Sequence, residues 1–239
     1  MRRLAVDVPS LTRAAAASAG VLLRGFAQLV TGVRGRRIDA RPSTGPVIYF
    51  ANHTSHGDFV LIWTVLPPPL RKLTRPVAGA DYWSAGRVRP WLARHVFDAV
   101  LIDRGKLDRT SDPVAPVLAA LDAGQSVIIF PEGTRNQSGV PLLPFKSGLF
   151  RLAEARPHIP LVPVWIENLA RVMPKGEFLP LPLLCSVTFG PPLPQAPGEL
   201  RPMFLARAAR ALATLAPIDR KSTRLNSSHE RLSRMPSSA

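Results

Sequence analysis

Two histidines, a serine and an aspartate lie within ANHTSHGD (51–58), directly after the hydrophobic run VIYF. This set could supply a serine nucleophile with its base, a metal site, a histidine base oriented by a carboxylate, or only a polar turn. His53 and Asp58 are five residues apart, about 140° on a regular helix. They can therefore meet only if the chain turns first, with Gly57 as the permissive residue, and then enters a helix at Asp58, where a carboxylate is favoured.

A histidine held in this way can act as a general base. A carboxylate that accepts a hydrogen bond from one ring nitrogen fixes the tautomer and leaves the other nitrogen to take a proton. The pair then resembles a Ser-His-Asp triad without its nucleophile, which a substrate hydroxyl can supply. Ser55 is disfavoured as a nucleophile because no G-x-S-x-G elbow surrounds it. A metal site formed by His53, His56 and Asp58 stays open, as does a purely capping role for Asp58.

Polar residues also follow two later predicted strands. Asp103 and Arg104 follow one strand in LIDRG, and FPEGTR (130–135) follows the next, with Lys146 close behind in PFKSG. Ligands of open α/β sheets sit beyond the carboxyl ends of strands, so we expect these clusters to converge with the NHTSHGD loop. Basic side chains beside two acids and a histidine indicate an anionic substrate next to a proton-transfer site.

The predicted fold is α/β, because short β-rich runs alternate with helical candidates. This alternation favours a mostly parallel sheet flanked by helices. Strands are predicted at 45–52, 74–80, 97–103, 125–130, 159–166 and 183–190. Helices are predicted at 58–67, 82–96, 112–123, 147–156 and 199–215. The sequence has neither a GxGxxG turn after a strand nor a Walker A loop, which disfavours a nucleotide site.

The N-terminal segment (1–38) is basic and apolar. Arg13 and Arg24 interrupt its apolar run, whereas a spanning helix needs about 20 predominantly apolar residues. We therefore predict an amphipathic helix lying in the membrane interface. A helix packed on its own domain is the alternative, and a cleaved signal peptide is disfavoured. The apolar residues recur at helical spacing at Val21, Leu22, Phe26, Leu29, Val30 and Val33.

Composition limits the class of protein. The chain has 239 residues, enough for one domain with a sizeable core. Lys and Arg exceed Asp and Glu by 31 to 16, and the net charge of +15 favours an anionic partner. We recognise no nucleic-acid-binding motif, so an acidic membrane or a phosphorylated substrate is the expected partner. The single cysteine, Cys185, excludes an internal disulfide and fits a reducing compartment.

Residues 219–239, DRKSTRLNSSHERLSRMPSSA, are polar and lack periodicity. They resemble the translation of a sequencing-adapter oligonucleotide, and we interpret them as an artefactual tail that replaces the native sequence after about Ile218. A natural disordered tail is the alternative. The tail accounts for only +3 of the net charge, with five basic and two acidic residues. The predicted organisation is thus a membrane-associated helical segment (1–38), a main domain (39–218) and this tail.

Four blocks together resemble the glycerolipid acyltransferases of the 1-acyl-sn-glycerol-3-phosphate (lysophosphatidate) acyltransferase type. NHTSHGD fits the family's NHxxxxD block, VLIDRG fits the block whose arginine follows a strand, and FPEGTR fits almost letter for letter. IPLVPVWI fits the proline-bearing strand, at Pro160 and Pro163. The likeness covers roughly residues 20 to 195. A lone H-x4-D pair is weakly specific, whereas four blocks in this order are highly specific.

The resemblance implies transfer of a fatty acyl group from acyl-CoA or acyl carrier protein to the free hydroxyl of a lysophospholipid, with lysophosphatidate giving phosphatidate. It implies His53 as the general base and Asp58 as its orienting residue. No metal, cofactor or prosthetic group is expected. Arginine suits the acceptor's phosphate because its planar fork donates two parallel hydrogen bonds. Glu132 would bind a hydroxyl or fix Arg135, because a carboxylate is unfavourable beside a phosphate. The substrate-binding residues would be Arg104, Glu132, Gly133, Thr134, Arg135 and Lys146.

Two departures from the family pattern leave the acceptor open. His56 stands in an unusual context, and Tyr82 and Trp83 occupy a position where the family often has a lysine-rich helix entry. A lyso-ornithine lipid or lysophosphatidylethanolamine is therefore an alternative acceptor. A non-catalytic, basic membrane-binding module is the alternative from another class. The basic leader predicts a peripheral or monotopic protein on an anionic phospholipid membrane, at the cytoplasmic face of the bacterial inner membrane.

Overall fold

A mostly parallel sheet organises the chain. The computed structural model describes residues 8–38, 45–103, 112–167, 184–194 and 196–217. Within those ranges the strands form one seven-stranded sheet in the order β1-β7-β6-β2-β5-β3-β4, and every neighbouring pair is parallel except β6 with β7. The strands are β1 (Arg34–Arg37), β2 (Ile48–Ala51), β3 (Thr74–Gly79), β4 (Val100–Ile102), β5 (Ser126–Ile129), β6 (Leu161–Glu167) and β7 (Ser186–Phe189).

Helices cover both faces of this sheet, which confirms the predicted α/β architecture. A π-helical turn at Leu92–Val96 directly follows α5. The helices are α1 (Val8–Thr31), α2 (Asp58–Val65), α3 (Pro68–Lys72), α4 (Ala80–Trp83), α5 (Val88–Trp91), α6 (Ala115–Asp122), α7 (Gly148–Ala155) and α8 (Arg201–Ala213).

The central strands are buried on both sides, so their sequences are hydrophobic runs without polar alternation. In β2, Tyr49 and Ala51 face a core shared with α2, while Ile48 and Phe50 face a second core shared with α6, α7 and α8. All four residues of β2 and all four of β5 are buried. This double burial fixes the register of the strands whose ends carry the polar loops.

Three segments differ from the predicted elements, and one of them is the unpredicted short helix α3 (Pro68–Lys72). Residues 34–37 form β1, which pairs with β7, although the sequence assigns them to the helical leader. The four side chains RGRR are exposed, so β1 carries no hydrophobic pattern. The single helix predicted at 82–96 is divided into α4, α5 and the π-helical turn, because Gly86 between them adopts φ 73°.

Helix α1 packs against α2 and the π-helical turn through one face, where Ala16 and Ala27 are buried. The opposite face exposes Leu22, Phe26 and Leu29, the last at 84%. Among the described helices, one stretch (Leu11–Thr31) is long and apolar enough to cross a membrane by length and composition alone. Helix α1 therefore packs on its own domain and also exposes an apolar stripe. The tail at 219–239 lies outside the described residues.

Candidate active site

The carboxyl ends of four neighbouring parallel strands meet at one edge of the sheet. Strands β2, β5, β3 and β4 are adjacent in that order. His53 follows β2, the FPEGTR loop (130–135) follows β5, Tyr82 follows β3 and Asp103 follows β4. The topology thus brings together loops that are far apart in the sequence.

His53 and Asp58 form a hydrogen-bonded pair. Asp58 is the first residue of α2 and is fully buried. Its Oδ2 accepts hydrogen bonds from His53 Nδ1 at 2.9 Å, from the Thr54 amide at 2.6 Å and from the Ser55 amide at 2.8 Å. A carboxylate oxygen in this position acts as an acceptor, so Nδ1 is the donor and Nε2 is left to accept a proton.

The turn between the two residues is organised by Asp58 rather than by glycine. Gly57 adopts φ −85°, a conformation open to any residue, so the predicted need for a permissive glycine is wrong. The two amide bonds to Asp58 Oδ2 close the turn instead. One carboxylate oxygen therefore sets both the backbone of the loop and the ring of His53.

The loop after β5 holds His53 from its other side. The His53 ring stacks on Phe130, with centroids 4.2 Å apart and planes inclined by 19°. The Asn136 amide donates to the His53 carbonyl at 2.6 Å. The side chain is 17% exposed, so the ring is held firmly but still reaches solvent-accessible space.

Glu132 is buried and accepts a hydrogen bond from the His53 backbone. It is 1% exposed, and its two carboxylate oxygens accept from the His53 amide at 2.9 Å and from the Leu143 amide at 2.8 Å. Burial raises the pKa of Glu132, while these two amides act in the opposite direction. Glu132 is not among the residues that line the cavity described below, and each of its carboxylate oxygens accepts from a backbone amide.

The FPEGTR loop (130–135) contacts the PFKSG segment (144–148). Gly133 adopts φ 72°, and a Cβ there would lie 3.1 Å from Cγ of Lys146, so this position requires glycine. The Lys146 amide donates to the Pro131 carbonyl at 2.7 Å. The Lys146 side chain therefore lies against Gly133, and Thr134, Arg135 and Lys146 all line the same cavity.

That cavity has a volume of about 740 Å³, within the range of small-molecule sites. Its lining residues include basic, acidic and apolar side chains. Its polar lining comprises His53, His56, Asp81, Tyr82, Asp103, Thr134, Arg135, Lys146, Ser147 and Arg151. Its apolar lining includes Phe59, Val77, Trp83, Ile102, Val117, Ile129, Leu149 and Leu152. Arg104, the remaining predicted substrate-binding residue, lies outside the described residues.

His56 forms part of a layered stack at this cavity. Its ring lies 4.1 Å from that of Tyr82 with an interplanar angle of 11°, and the Arg89 guanidinium lies 4.4 Å from the Tyr82 centroid. Partial burial lowers the pKa of His56, and Arg135 and His53 lower it further. Across the described ranges, no group of three or more His, Cys, Asp and Glu side chains is placed to hold a metal ion.

Asn52 has a role that the sequence did not reveal. Its Nδ2 donates to the Ile166 carbonyl at 2.9 Å, and its Oδ1 accepts from the Ile166 amide at 2.8 Å. This paired contact ties the end of β2 to β6 one residue before His53. A buried asparagine at the end of an apolar strand is the signal that could have indicated such a clamp.

The Acyltransferase family model matches residues 32–167, more than half of the chain. The chain belongs to the acyltransferase family. The resemblance predicted from the four sequence blocks is thereby confirmed. The match begins directly after α1 and covers the site from His53 to Lys146.

Two curated relatives in this acyltransferase family match part of the chain. The 1-acyl-sn-glycerol-3-phosphate acyltransferase of Escherichia coli (strain K12) is 31% identical over 146 residues, covering 56% of this chain and 54% of that protein. The 1-acyl-sn-glycerol-3-phosphate acyltransferase alpha of Homo sapiens is 34% identical over 171 residues, covering 67% of this chain and 56% of that protein. The chain thus spans about half the length of the curated relatives it matches.

A solved acyltransferase structure shares the fold. The crystal structure of the 1-acyl-sn-glycerophosphate (LPA) acyltransferase PlsC from Thermotoga maritima superposes with a TM-score of 0.66 and 19% sequence identity. The alignment covers 98% of this chain and 86% of that one. The fold of this chain is therefore that of a known acyltransferase.

Proposed function

We propose that this chain transfers a fatty acyl group from a thioester donor to the free hydroxyl of a lysophospholipid, with lysophosphatidate as the first candidate acceptor and phosphatidate as the product. The observation that carries the proposal is the 2.9 Å contact between His53 Nδ1 and Asp58 Oδ2 at a cavity that Arg135 and Lys146 also line. The curated relatives are named for the same acceptor.

The proposed reaction needs one group that moves a proton. His53 Nε2 takes the proton of the acceptor hydroxyl as its oxygen attacks the thioester carbonyl carbon, and a tetrahedral intermediate forms. When the intermediate collapses, the carbon–sulfur bond breaks and the leaving thiolate receives the proton from His53. Asp58 holds the ring and stabilises the imidazolium that exists between these steps.

The basic wall of the cavity is the proposed phosphate site. Arg135 and Lys146 lie beside the His53 loop, and the start of α7 at Gly148 also lines the cavity. Both side chains and a helix N-terminus favour an anion. Arg104 is retained in this site from the family resemblance alone. For Glu132 we propose a positioning role through the His53 backbone.

Acyl-CoA or acyl carrier protein is the proposed donor, and the apolar wall would receive part of the acyl chain. We propose that no metal or prosthetic group takes part, because the His53–Asp58 pair can carry the proton transfer. Full activity in the presence of a chelator is the expected result.

We further propose that the enzyme works at an anionic membrane surface, to which α1 presents its exposed apolar stripe.

A second acceptor class follows from one observation. His56 and Tyr82 both line the cavity and stack on each other, which gives the cavity an aromatic side. We propose that this aromatic side receives the ammonium group of lysophosphatidylethanolamine or of a lyso-ornithine lipid. Parallel assays with the three acceptors distinguish the possibilities, and the acceptor with the highest kcat/KM identifies the substrate class.

The first experiment is a thiol-release assay with palmitoyl-CoA and lysophosphatidate. Wild type is compared with His53→Ala and with His158→Ala, which makes the same truncation at an exposed histidine outside the cavity. We expect His53→Ala to lower kcat/KM by about 10²–10⁴, with His158→Ala unchanged. Wild-type activity in His53→Ala would refute the proposed base. Acyl-carrier-protein donors are tested in the same assay.

A further inference from the structure

A second cavity, of about 450 Å³, lies between α1 and the region formed by α2, α3 and the π-helical turn. We refer to it as the α1 groove. It shares no lining residue with the active-site cavity. Its α1 wall includes Arg13, Gly20 and Arg24, and its opposite wall includes Trp63, Arg71 and Lys72.

The α1 groove is strongly cationic. Five arginine or lysine residues line it, and Asp98 is the only carboxylate residue among its lining residues. Asp98 pairs with Arg75, whose Nη2 lies 3.0 Å from Asp98 Oδ1. Within the described part of the chain, this leaves the positive charges of Arg24, Arg71 and Lys72 without a carboxylate partner.

Arg71 is the most unusual member of the groove. Its Nε is buried and makes no hydrogen bond with any described residue. Its guanidinium carbon lies 5.4 Å from the centroid of Trp63, and burial together with the charge of Arg24 lowers the pKa of Arg71. A buried donor without an acceptor, beside a like charge, is unfavourable. An anionic oxygen in the groove would relieve both effects.

The position of the groove on α1 indicates where such an anion would come from. At about 100° per residue, Arg13, Gly20 and Arg24 fall on one side of the helix, next to its buried face. Val21 lines the groove yet is 59% exposed, so it lies between the groove and the apolar stripe. The stripe consists of Leu11, Leu22, Phe26 and Leu29, each more than half exposed.

We propose that the α1 groove binds the phosphate of an anionic glycerophospholipid in the membrane on which the stripe rests. A helix lying in the interface buries its apolar face at the boundary of head groups and acyl chains. On the helix the groove residues lie nearly opposite the stripe and Val21 lies between them, about 80° from Arg13, so the Val21 edge is the part of the groove at the level of the lipid phosphates. Arg71 and Arg24 contact the phosphate, and Trp63 forms the floor. The site is independent of the acyl-transfer proposal because it uses none of the same residues.

The test measures partition of the full chain onto vesicles of phosphatidylglycerol mixed with phosphatidylcholine, with phosphatidylcholine vesicles as the neutral reference. Arg71→Lys keeps the charge but removes the Nε donor. Arg36→Lys makes the same change at an exposed arginine outside the groove. We expect Arg71→Lys to weaken partition onto the anionic vesicles by about tenfold, as for loss of a hydrogen bond to a charged group. Arg36→Lys should stay within about twofold, because diffuse attraction depends only on charge.

Arg24→Lys serves as a second groove variant, and thermal unfolding checks that each variant is folded. Wild-type partition in both groove variants would overturn the proposal, as would an equal loss in Arg36→Lys. Inorganic phosphate tests the other source of the anion. The contrary outcome is that inorganic phosphate raises the Tm of wild type but not that of Arg71→Lys, while wild type and Arg71→Lys partition equally onto vesicles. In that case the groove binds free phosphate and the lipid assignment is wrong.

Discussion

The Asp58→Asn substitution removes the negative charge of Asp58 and keeps the size and shape of its side chain. Asp58 Oδ2 accepts from three N–H donors, at His53, Thr54 and Ser55. The Asn amide group cannot occupy that position, because it would face three donors with its own hydrogens. The Asn oxygen is therefore held toward His53, and the tautomer with Nδ1 protonated is preserved. What the variant loses is the negative charge beside the ring.

The magnitude follows from that single loss. A hydrogen bond to a charged group contributes about 1.5–3 kcal/mol, against about 1 for a neutral pair. Because the Asn oxygen keeps a neutral hydrogen bond, the imidazolium of the proposed mechanism loses only the difference, about 0.5–2 kcal/mol, so kcat/KM should fall by up to about 30-fold. This loss is smaller than the upper range expected for His53→Ala, because the base itself remains. The Asn nitrogen takes the place of Oδ1, which is buried without a partner among the described residues, so a modest loss of stability accompanies the change.

The assay is initial-rate thiol release, with kcat and KM determined separately and the Tm measured for each variant. Asp58→Ala is the contrasting variant, since it also removes the acceptor of the Thr54 and Ser55 amides and should disorganise the loop. A loss in Asp58→Asn equal to that of His53→Ala would refute the reasoning about the tautomer. A change in kcat/KM of less than about twofold would leave Asp58 with only the structural role of closing the turn at Thr54 and Ser55.

Three further predictions concern residues around the site. Glu132→Gln should lower the free energy of unfolding by about 1–3 kcal/mol in denaturant titrations, because one amide oxygen cannot accept from both the His53 and Leu143 amides. Tyr82→Ala should raise KM for the acceptor about two- to tenfold with little change in kcat, since it removes the ring on which His56 stacks. Burial raises the pKa of the Cys185 thiol from 9.0 to about 11, so its stabilising effect is fully present below pH 9.0 and is lost as the pH rises through about 11. Alkylation at neutral pH should accordingly be slow until the chain is unfolded, and Cys185→Ala should show a shallower loss of stability over that alkaline range than wild type.

The sequence predicts those parts of the fold whose side chains carry a pattern. Strand β5 reads as a continuous apolar run because both its faces are buried. The position of Asp58 at a helix start follows from the charge preference of the first turn. Strand β1 escapes prediction because it is joined to β7 by backbone bonds while its side chains are exposed.

Sequence patterns do not reveal contacts between residues that are distant in the sequence and come together only in the folded chain. Glu132 looks like a ligand-facing acid in FPEGTR, but its direction depends on where the Leu143 amide lies. The positive charges of the α1 groove come from Arg24 on one helix and Arg71 on another, and these residues are too far apart in the sequence for their spacing to predict a contact. The direction of Glu132 and the charge of the groove therefore depend on tertiary position rather than on residue type.

An aromatic cluster connects the two cavities physically. Phe97 lies 4.8 Å from Phe59, 5.4 Å from Trp63 and 6.1 Å from Trp83, measured between ring centroids. Phe59 and Trp83 line the active-site cavity, whereas Trp63 and Phe97 line the α1 groove. Helix α2 runs along this cluster, with Asp58 at its start and Trp63 further along.

Because interiors are close-packed and transmit displacement rather than absorb it, the distance between groove and catalytic pair is set by these rings. A phosphate held by Arg71 would therefore place His53 at a fixed height above the lipid surface. Under the proposed function, an acceptor whose acyl chain stays in the membrane has to bring its hydroxyl to Nε2 of His53 and its phosphate to Arg135. The proposed lipid site in the α1 groove would then fix the orientation in which the active-site cavity meets the membrane.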